Sequence, residues 1–236
     1  MKHPNPSRNR GFSLIETVIA IGVLAVLLTG FMIVFAPAAA GIRRAISMQE
    51  ADRLASTLEQ ELVTSRGTDD PWPGFNKAFE WIEASNSSNE ALLVYQYRGS
   101  LSSQRSDGTP EPMQDIAGKV AGRDFTVIST VRRKSDPEFL RDLTAVEGGV
   151  YLVKCTQLVY NSQDELVVGD PGEIRDPKPD GSNASSPDDY PEAVIAFAAE
   201  FHSVPGKAPN YFGAPFAKFF NASRKPIFTR NLAVRR

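Results

Sequence analysis

One acid stands at the head of a long apolar run. Glu16 precedes residues 18–41, a stretch in which Thr29 is the only polar side chain. A carboxylate at the edge of hydrocarbon is expensive unless it has a partner or a task. Elsewhere the groups that could do chemistry are few. The chain has two histidines, His3 and His202, and one cysteine, Cys155. A nucleophile needs a base and an orienting group, and His202 alone is thin support for either, so it reads as a structural residue at a strand end. Cys155 alternates with apolar neighbours, as a buried, inert thiol does, and a lone cysteine excludes an internal disulfide. There is no glycine-rich phosphate loop, no G-x-S-x-G and no C-x-x-C. The expectation is a protein that is not an enzyme, with no catalytic residues, no metal ligands and no cofactor.

The elements around Glu16 must then supply its setting. The apolar run exceeds the roughly 20 residues that span a bilayer as a helix. Pro37 lies inside it and should kink it by removing a backbone hydrogen bond. Gly22, Gly30 and Gly41 are small enough to admit a neighbouring helix closely, or are simply tolerated. Before the run, Lys2, Arg8 and Arg10 favour leaving that end in the cytoplasm, against Arg43 and Arg44 at the other end. A rival reading takes Ala38-Ala39-Ala40 as the A-x-A-like end of a secretory signal, whose cleavage near Ala40 would release an exported binding module. Against it, the run is longer than the about 7–15 residues of a signal core, and Glu16 is left without a role.

The block Gly11-Phe12-Ser13-Leu14-Ile15-Glu16, with its short basic leader and following apolar helix, resembles the type IV prepilin signature. Pilins and the pseudopilins of type II secretion share that signature. The resemblance covers about the first quarter of the chain. It implies that a membrane prepilin peptidase cuts between Gly11 and Phe12 and that the new amino terminus at Phe12 is N-methylated. It also implies that Glu16 sets register when subunits assemble into a filament. Cleavage would place the Phe12 amine four residues before Glu16, on one helix face; in a filament the carboxylate could instead meet a neighbour's amine. The implied partners are prepilin peptidase, other pilin or pseudopilin subunits and membrane lipid. The implied location is the inner membrane, single-pass, with the C-terminal domain in the periplasm until filament assembly. Family prolines often fall earlier, where Ile33 stands here, so the helix can bend at a different place. The length left after Gly11 is similar to that of the larger minor pseudopilins of the J type rather than of a compact major subunit.

Beyond the membrane run the pattern turns amphipathic. Ala51, Leu54, Ala55, Leu58 and Leu62 recur at spacings of three and four, with Glu50, Arg53, Thr57, Gln60 and Glu61 opposite. That is a helix with one buried stripe, and Leu54, Leu58 and Leu62 are the residues expected to pack on a sheet. Gly67 supplies the stop. The organisation read from these signals is a leader over 1–11, a transmembrane helix segment over 12–42, its amphipathic continuation over 43–66 and a globular β-rich domain over 67–236. Phe75, Phe79, Trp81 and Ile82 suit a short helix over 76–84 that packs into a core. Strands are expected over 91–98, 123–133, 149–161, 166–168 and 227–234, with 193–204 a strand or a helix. A polar loop is expected over 99–115 and a short helix over 137–146. Connections are too short for buried crossovers, so the sheet should be mainly antiparallel, with one face on the helix and the other free to meet water. The fold class is therefore α+β, a long N-terminal helix laid on an antiparallel sheet, as in pilins.

Residues 170–191 are irregular and acidic, with Asp170, Glu173, Asp176, Asp180, Asp188 and Asp189 among Pro, Gly, Ser and Asn. Oxygen ligands for calcium are available there, but no EF-hand spacing is present and the composition suits a solvated loop. Phe212, Phe216, Phe219 and Phe220 read as a loop or short helix anchored on the core. The whole chain carries a formal charge of −2, and its leader holds three of the basic residues. No basic field for nucleic acid remains.

Overall fold

The computed structural model describes residues 13–63 and 73–236. The chain divides into an N-terminal unit ending at Ile46 and a larger unit from Ser47 to Arg236. The first unit is helix from Leu14 on. α1 spans Leu14–Val63 and continues through Pro37 without a break. The expected helix ends at Phe12 and Arg66, and the stop at Gly67, lie outside the described residues.

In the second unit, α2 (Pro73–Ala84) places Phe75, Ala78, Phe79, Trp81 and Ile82 on one buried stripe. It begins three residues earlier than its aromatics suggested, because Pro73 is tolerated in a first helical turn, where no amide donor is needed. The strands are β1 (Leu92–Gln104), β2 (Pro110–Pro112), β3 (Phe125–Arg133), β4 (Val146–Tyr160), β5 (Leu166–Val168), β6 (Val194–Ser203) and β7 (Phe228–Arg235). They form a seven-stranded sheet in which every strand pairing is antiparallel, with β1, β4, β6 and β7 adjacent in that order. The arrangement is α+β. Segment 193–204, left between strand and helix by its alanines, is a strand paired on both sides.

Two expectations are corrected. β1 does not end where the polar residues begin: it runs on to Gln104, where it pairs with β2 inside the stretch expected to be loop. From Leu101 to Gln104 the extension is exposed on both faces, so it lacks the apolar alternation that marks a half-buried strand. Its signal is the turn. Asp107-Gly108 closes the hairpin, with Asp107 Oδ1 accepting from Thr109 N at 2.8 Å and Gly108 at φ +81°.

The second correction concerns the sheet's outer face, which is covered rather than left to water. Alternate residues of a strand face opposite ways. Leu92 and Val94 of β1 and Tyr151, Val153 and Cys155 of β4 join Leu54, Leu58, Phe79, Trp81 and Phe201 in one core. Leu93, Tyr95 and Tyr97 of β1 and Val150 and Leu152 of β4 join a second core of aromatics. Its far side is built by α3 (Pro137–Asp142), a 3₁₀ turn over Leu143–Ala145, a second over Pro209–Phe212, and α4 (Ala214–Asn221). Phe139 and Phe212 meet edge-to-face at 4.8 Å, and Phe212 passes the contact on to Phe216. The start of α3 is legible in Asp136-Pro137: Asp136 Oδ1 accepts from Glu138 N at 2.8 Å, and Pro137 follows in the first turn.

Asp142, at the end of α3, is fully buried. Its carboxylate accepts from Tyr95 Oη at 2.6 Å, from Arg132 Nε at 2.9 Å and from Arg105. Arg105, whose side chain is 3 % exposed, also reaches Glu138 at 2.8 Å. β1, the turn after it, β3 and α3 are thus tied through one acid. Burial and the Asp142 charge both push the Tyr95 phenol far above its ordinary range. Removing one member of a buried ionic group strands the others without counter-charge. Asp142→Ala is therefore expected to lower the unfolding free energy of the full chain in detergent by about 3–5 kcal/mol in urea titration; a loss under about 1 kcal/mol would show the network to be dispensable.

Cys155 lies on β4 with no exposed surface, and its backbone N–H donates to Ser85 Oγ at 2.7 Å. Burial pushes its thiol up to about 12, so almost no thiolate exists at neutral pH. The folded chain should react with a thiol reagent only as fast as it unfolds; prompt labelling in native conditions would contradict this placement.

Candidate functional site

The head of α1 is a closed capping box. Ser13 stands just before the helix, and Glu16 is its third residue. Glu16 N donates to Ser13 Oγ at 3.2 Å, and Ser13 N donates back to Glu16 Oε2 at 3.2 Å. Two amide donors that the first turn leaves unpaired are thereby satisfied. Ser-x-x-Glu is a sequence signal for this cap, and the reading of Glu16 as a charge in search of an amine overlooked it. Oε2 takes both Ser13 contacts; Oε1 makes none among the described residues. The carboxylate also sits at the positive end of the helix dipole, where a negative charge is favoured.

Beyond the cap, α1 is apolar on every side. From Leu14, at 86 % exposed, to Phe35, its large apolar side chains are all more than half exposed. A helix apolar all round belongs in a membrane or a larger core. α1 is the one helix among the described residues long and apolar enough to cross a bilayer, with a mean hydropathy of 2.8 in its best window. Thr29 Oγ1 donates to Ala25 O at 2.8 Å, so the single hydroxyl of the run is satisfied within the helix. Phe31 and Phe35 stack at 4.8 Å, one turn apart. At Gly22, Gly30 and Gly41 an added Cβ would meet nothing within 4 Å. These notches are left open by the chain itself. Gly11 and Phe12, the expected cleavage and methylation positions, lie outside the described residues.

The other end of α1 belongs to the larger unit. Leu54 and Leu58 are fully buried and Leu62 nearly so, in the core that holds β1, β4 and β6. Burying each contributes about 1.5–3 kcal/mol. The polar side of the helix, opposite the buried stripe, carries specific contacts. Glu50 accepts from Gly149 N at 2.8 Å and from Tyr151 Oη at 2.7 Å. Gly148 and Gly149 form a bulge: Tyr95 pairs with Val150, whereas Gln96 pairs with Glu147. Gly148 holds φ +68°, and a Cβ there would strike Glu50, so the bulge and the carboxylate fit only with glycine. Arg53 donates to Gln96 Oε1, and Gln96 Nε2 donates to Ser129 Oγ at 2.7 Å, carrying the link across to β3. Arg230 of β7 reaches Glu59 at 2.9 Å. Paired glycines within a strand run are a bulge signal; that it receives Glu50 depends on elements some 100 residues apart.

The remaining chemical candidates are embedded in structure. His202 ends β6 with its side chain 8 % exposed and its Nε2 3.6 Å from Glu200 Oε2. In the acidic loop, Asp189 Oδ2 accepts from Ser185 and Ser186, both at 2.8 Å. Asp176 lies 3.5 Å from Lys178, and Ile174 and Tyr190 anchor the segment in the core. Among the described residues no group of three or more His, Cys, Asp or Glu is placed to hold a metal ion.

Residues 6–32 match the family model of the prokaryotic N-terminal methylation motif. No curated protein and no solved structure matches the chain. The matched residues take in Gly11, Phe12, the Ser13–Glu16 cap and the first five turns of the apolar helix, and that motif supports a likeness of the N-terminal segment to type IV prepilins.

Proposed function

We propose that this protein is a minor pilin or pseudopilin, a membrane-anchored structural subunit with no catalytic activity and no cofactor. Prepilin peptidase would cut it between Gly11 and Phe12 and methylate Phe12. It would wait in the inner membrane, single-pass, with the unit from Ser47 on in the periplasm, and then enter a type II secretion pseudopilus or type IV pilus-like filament. Its size suits the larger, J-type minor pseudopilins. The observation that carries the reading is the Gly11–Glu16 block, matched as a methylation motif, at the head of a helix whose apolar surface the chain leaves uncovered. Lipid can cover that surface first, and sister helices later. Gly22, Gly30 and Gly41 are open notches for such neighbours. Glu16 Oε1, unused by the cap, would take the methylated amine of an adjacent subunit, and that pairing would fix the axial register. Release by cleavage near Ala40 would instead cut inside α1, which runs on to Val63.

The test is the intact mass and N-terminal sequence of the protein from its native membrane. A chain starting at N-methylated Phe12 is expected; one starting near Gly41 would sink the pilin reading. Glu16→Ala should leave cleavage intact while removing the subunit from sheared filaments. Normal incorporation of that variant would show that Glu16 does not set register.

A further inference from the structure

The sheet's outer face carries a polar cleft that neither the cores nor the anchor uses. Lys154 of β4 and Glu200 of β6 are cross-strand partners, and His202 stands opposite Leu152, two pairs along and so on the same face. Against them lie the end of α2 and the segment after α4, enclosing a cleft of about 350 Å³. That is room for one or two side chains.

The cleft is built, and it is unfinished. His202 Nε2 is buried without a hydrogen-bond partner among the described residues, Glu200 Oε2 being 3.6 Å away. An unpaired buried polar atom costs about 1–3 kcal/mol, which a ligand that reaches it restores. Lys154 Nζ donates to Phe220 O at 3.0 Å and rests 4.5 Å from the centre of the Phe220 ring; an ammonium has three donors, so two remain. Burial pulls its pKa down, as expected of a cation still short of counter-charge. Arg224 stands at the mouth, its guanidinium 5.2 Å from the Phe219 ring. Glu200, about a third exposed, is the one acid among the lining residues. Two fixed cations and an imidazole thus face one carboxylate, which leaves an excess of positive charge. Burial also holds the His202 imidazole below its usual range, against the opposing pull of Glu200; a second anion beside it would raise that pKa.

We propose that this cleft binds a carboxylate carried by a protein partner, either an acidic side chain or a chain's C-terminus. The carboxylate takes the spare Lys154 donors and the His202 Nε2–H, with Arg224 screening it at the mouth. The proposal stands apart from the filament reading, because it concerns only the unit from Ser47 on.

The chain has only two histidines, so the full protein in detergent, labelled at histidine, gives two imidazole NMR signals that His202→Asn assigns. The probes are acetyl-Asp-Glu-Asp-amide, acetyl-Gly-Gly-Gly with a free C-terminus, glutarate, and neutral acetyl-Asn-Gln-Asn-amide. We expect the His202 signal to move saturably with one or both carboxylate peptides, and its pKa to rise. Lys154→Met should weaken binding at least about tenfold, the loss of one charged hydrogen bond, and Arg224→Ser, at the exposed mouth, should weaken it less. Lys218→Met, on the outside of α4, should have no effect. No saturable movement up to about 10 mM, a bound too weak to matter for a partner, would overturn the proposal. So would equal movement with the neutral peptide, or equal losses in the Lys154 and Lys218 variants. Saturation by glutarate alone would overturn the protein source and leave a small dicarboxylate.

Discussion

Hydrocarbon offers a peptide group no hydrogen-bond partner, and the apolar part of α1 is built in a way that meets that constraint. Every donor and acceptor along the apolar run must be met by the chain itself, and a helix is the single-segment solution. Two places need further provision. The first turn has amide donors without intrahelical acceptors, and the Ser13–Glu16 box supplies two of the missing acceptors. Thr29 carries a hydroxyl into the run and returns it to Ala25 O. Glu16 therefore has a structural use before any partner arrives. The same carboxylate that would be a liability in lipid closes the helix end, and it keeps one oxygen in reserve.

The larger unit meets the opposite problem, that of burying enough surface in water. It does so with a sheet sandwiched between two layers. The stripe of Leu54, Leu58 and Leu62 with α2 covers one face, and the aromatics of α3, α4 and the 3₁₀ turns cover the other. Apolar burial favours this arrangement without choosing one register for it. The polar contacts choose. Glu50 fits only where the Gly148–Gly149 bulge presents an amide, and Arg53 fits where Gln96 turns toward it. Asp142 holds β1, β3 and α3 at one point. A slip of one residue in any of these strands would strand a charge in the core.

The cleft around His202 contrasts with these sites. Asp142 and Glu50 are surrounded by donors that meet them, whereas Lys154 and His202 retain unmet capacity. Arg105 also keeps two nitrogens without hydrogen-bond partners among the described residues, but it lies against the carboxylates of Asp142 and Glu138, whereas the unmet capacity of Lys154 and His202 opens on a surface cleft that a ligand can enter.

Much of this was readable in the residues themselves. The apolar run, the three-and-four spacing of Leu54, Leu58 and Leu62, and the alternating strands are local signals, because helix and strand periodicity is set by backbone geometry. The Gly11–Glu16 block is local as well, and it lies within the matched methylation motif. Two local signals went unread, the Ser13-x-x-Glu16 cap and the Asp107-Gly108 turn. The rest was settled by tertiary structure. No neighbour in sequence shows that Glu50 meets Gly149, that Asp142 gathers Arg105 and Arg132, or that Lys154, Glu200 and His202 share one cleft. Those groupings arise from strand register and layer packing, which join residues tens to a hundred positions apart. Composition and periodicity report which face of an element is buried; only the assembled sheet determines what each polar group on it will meet.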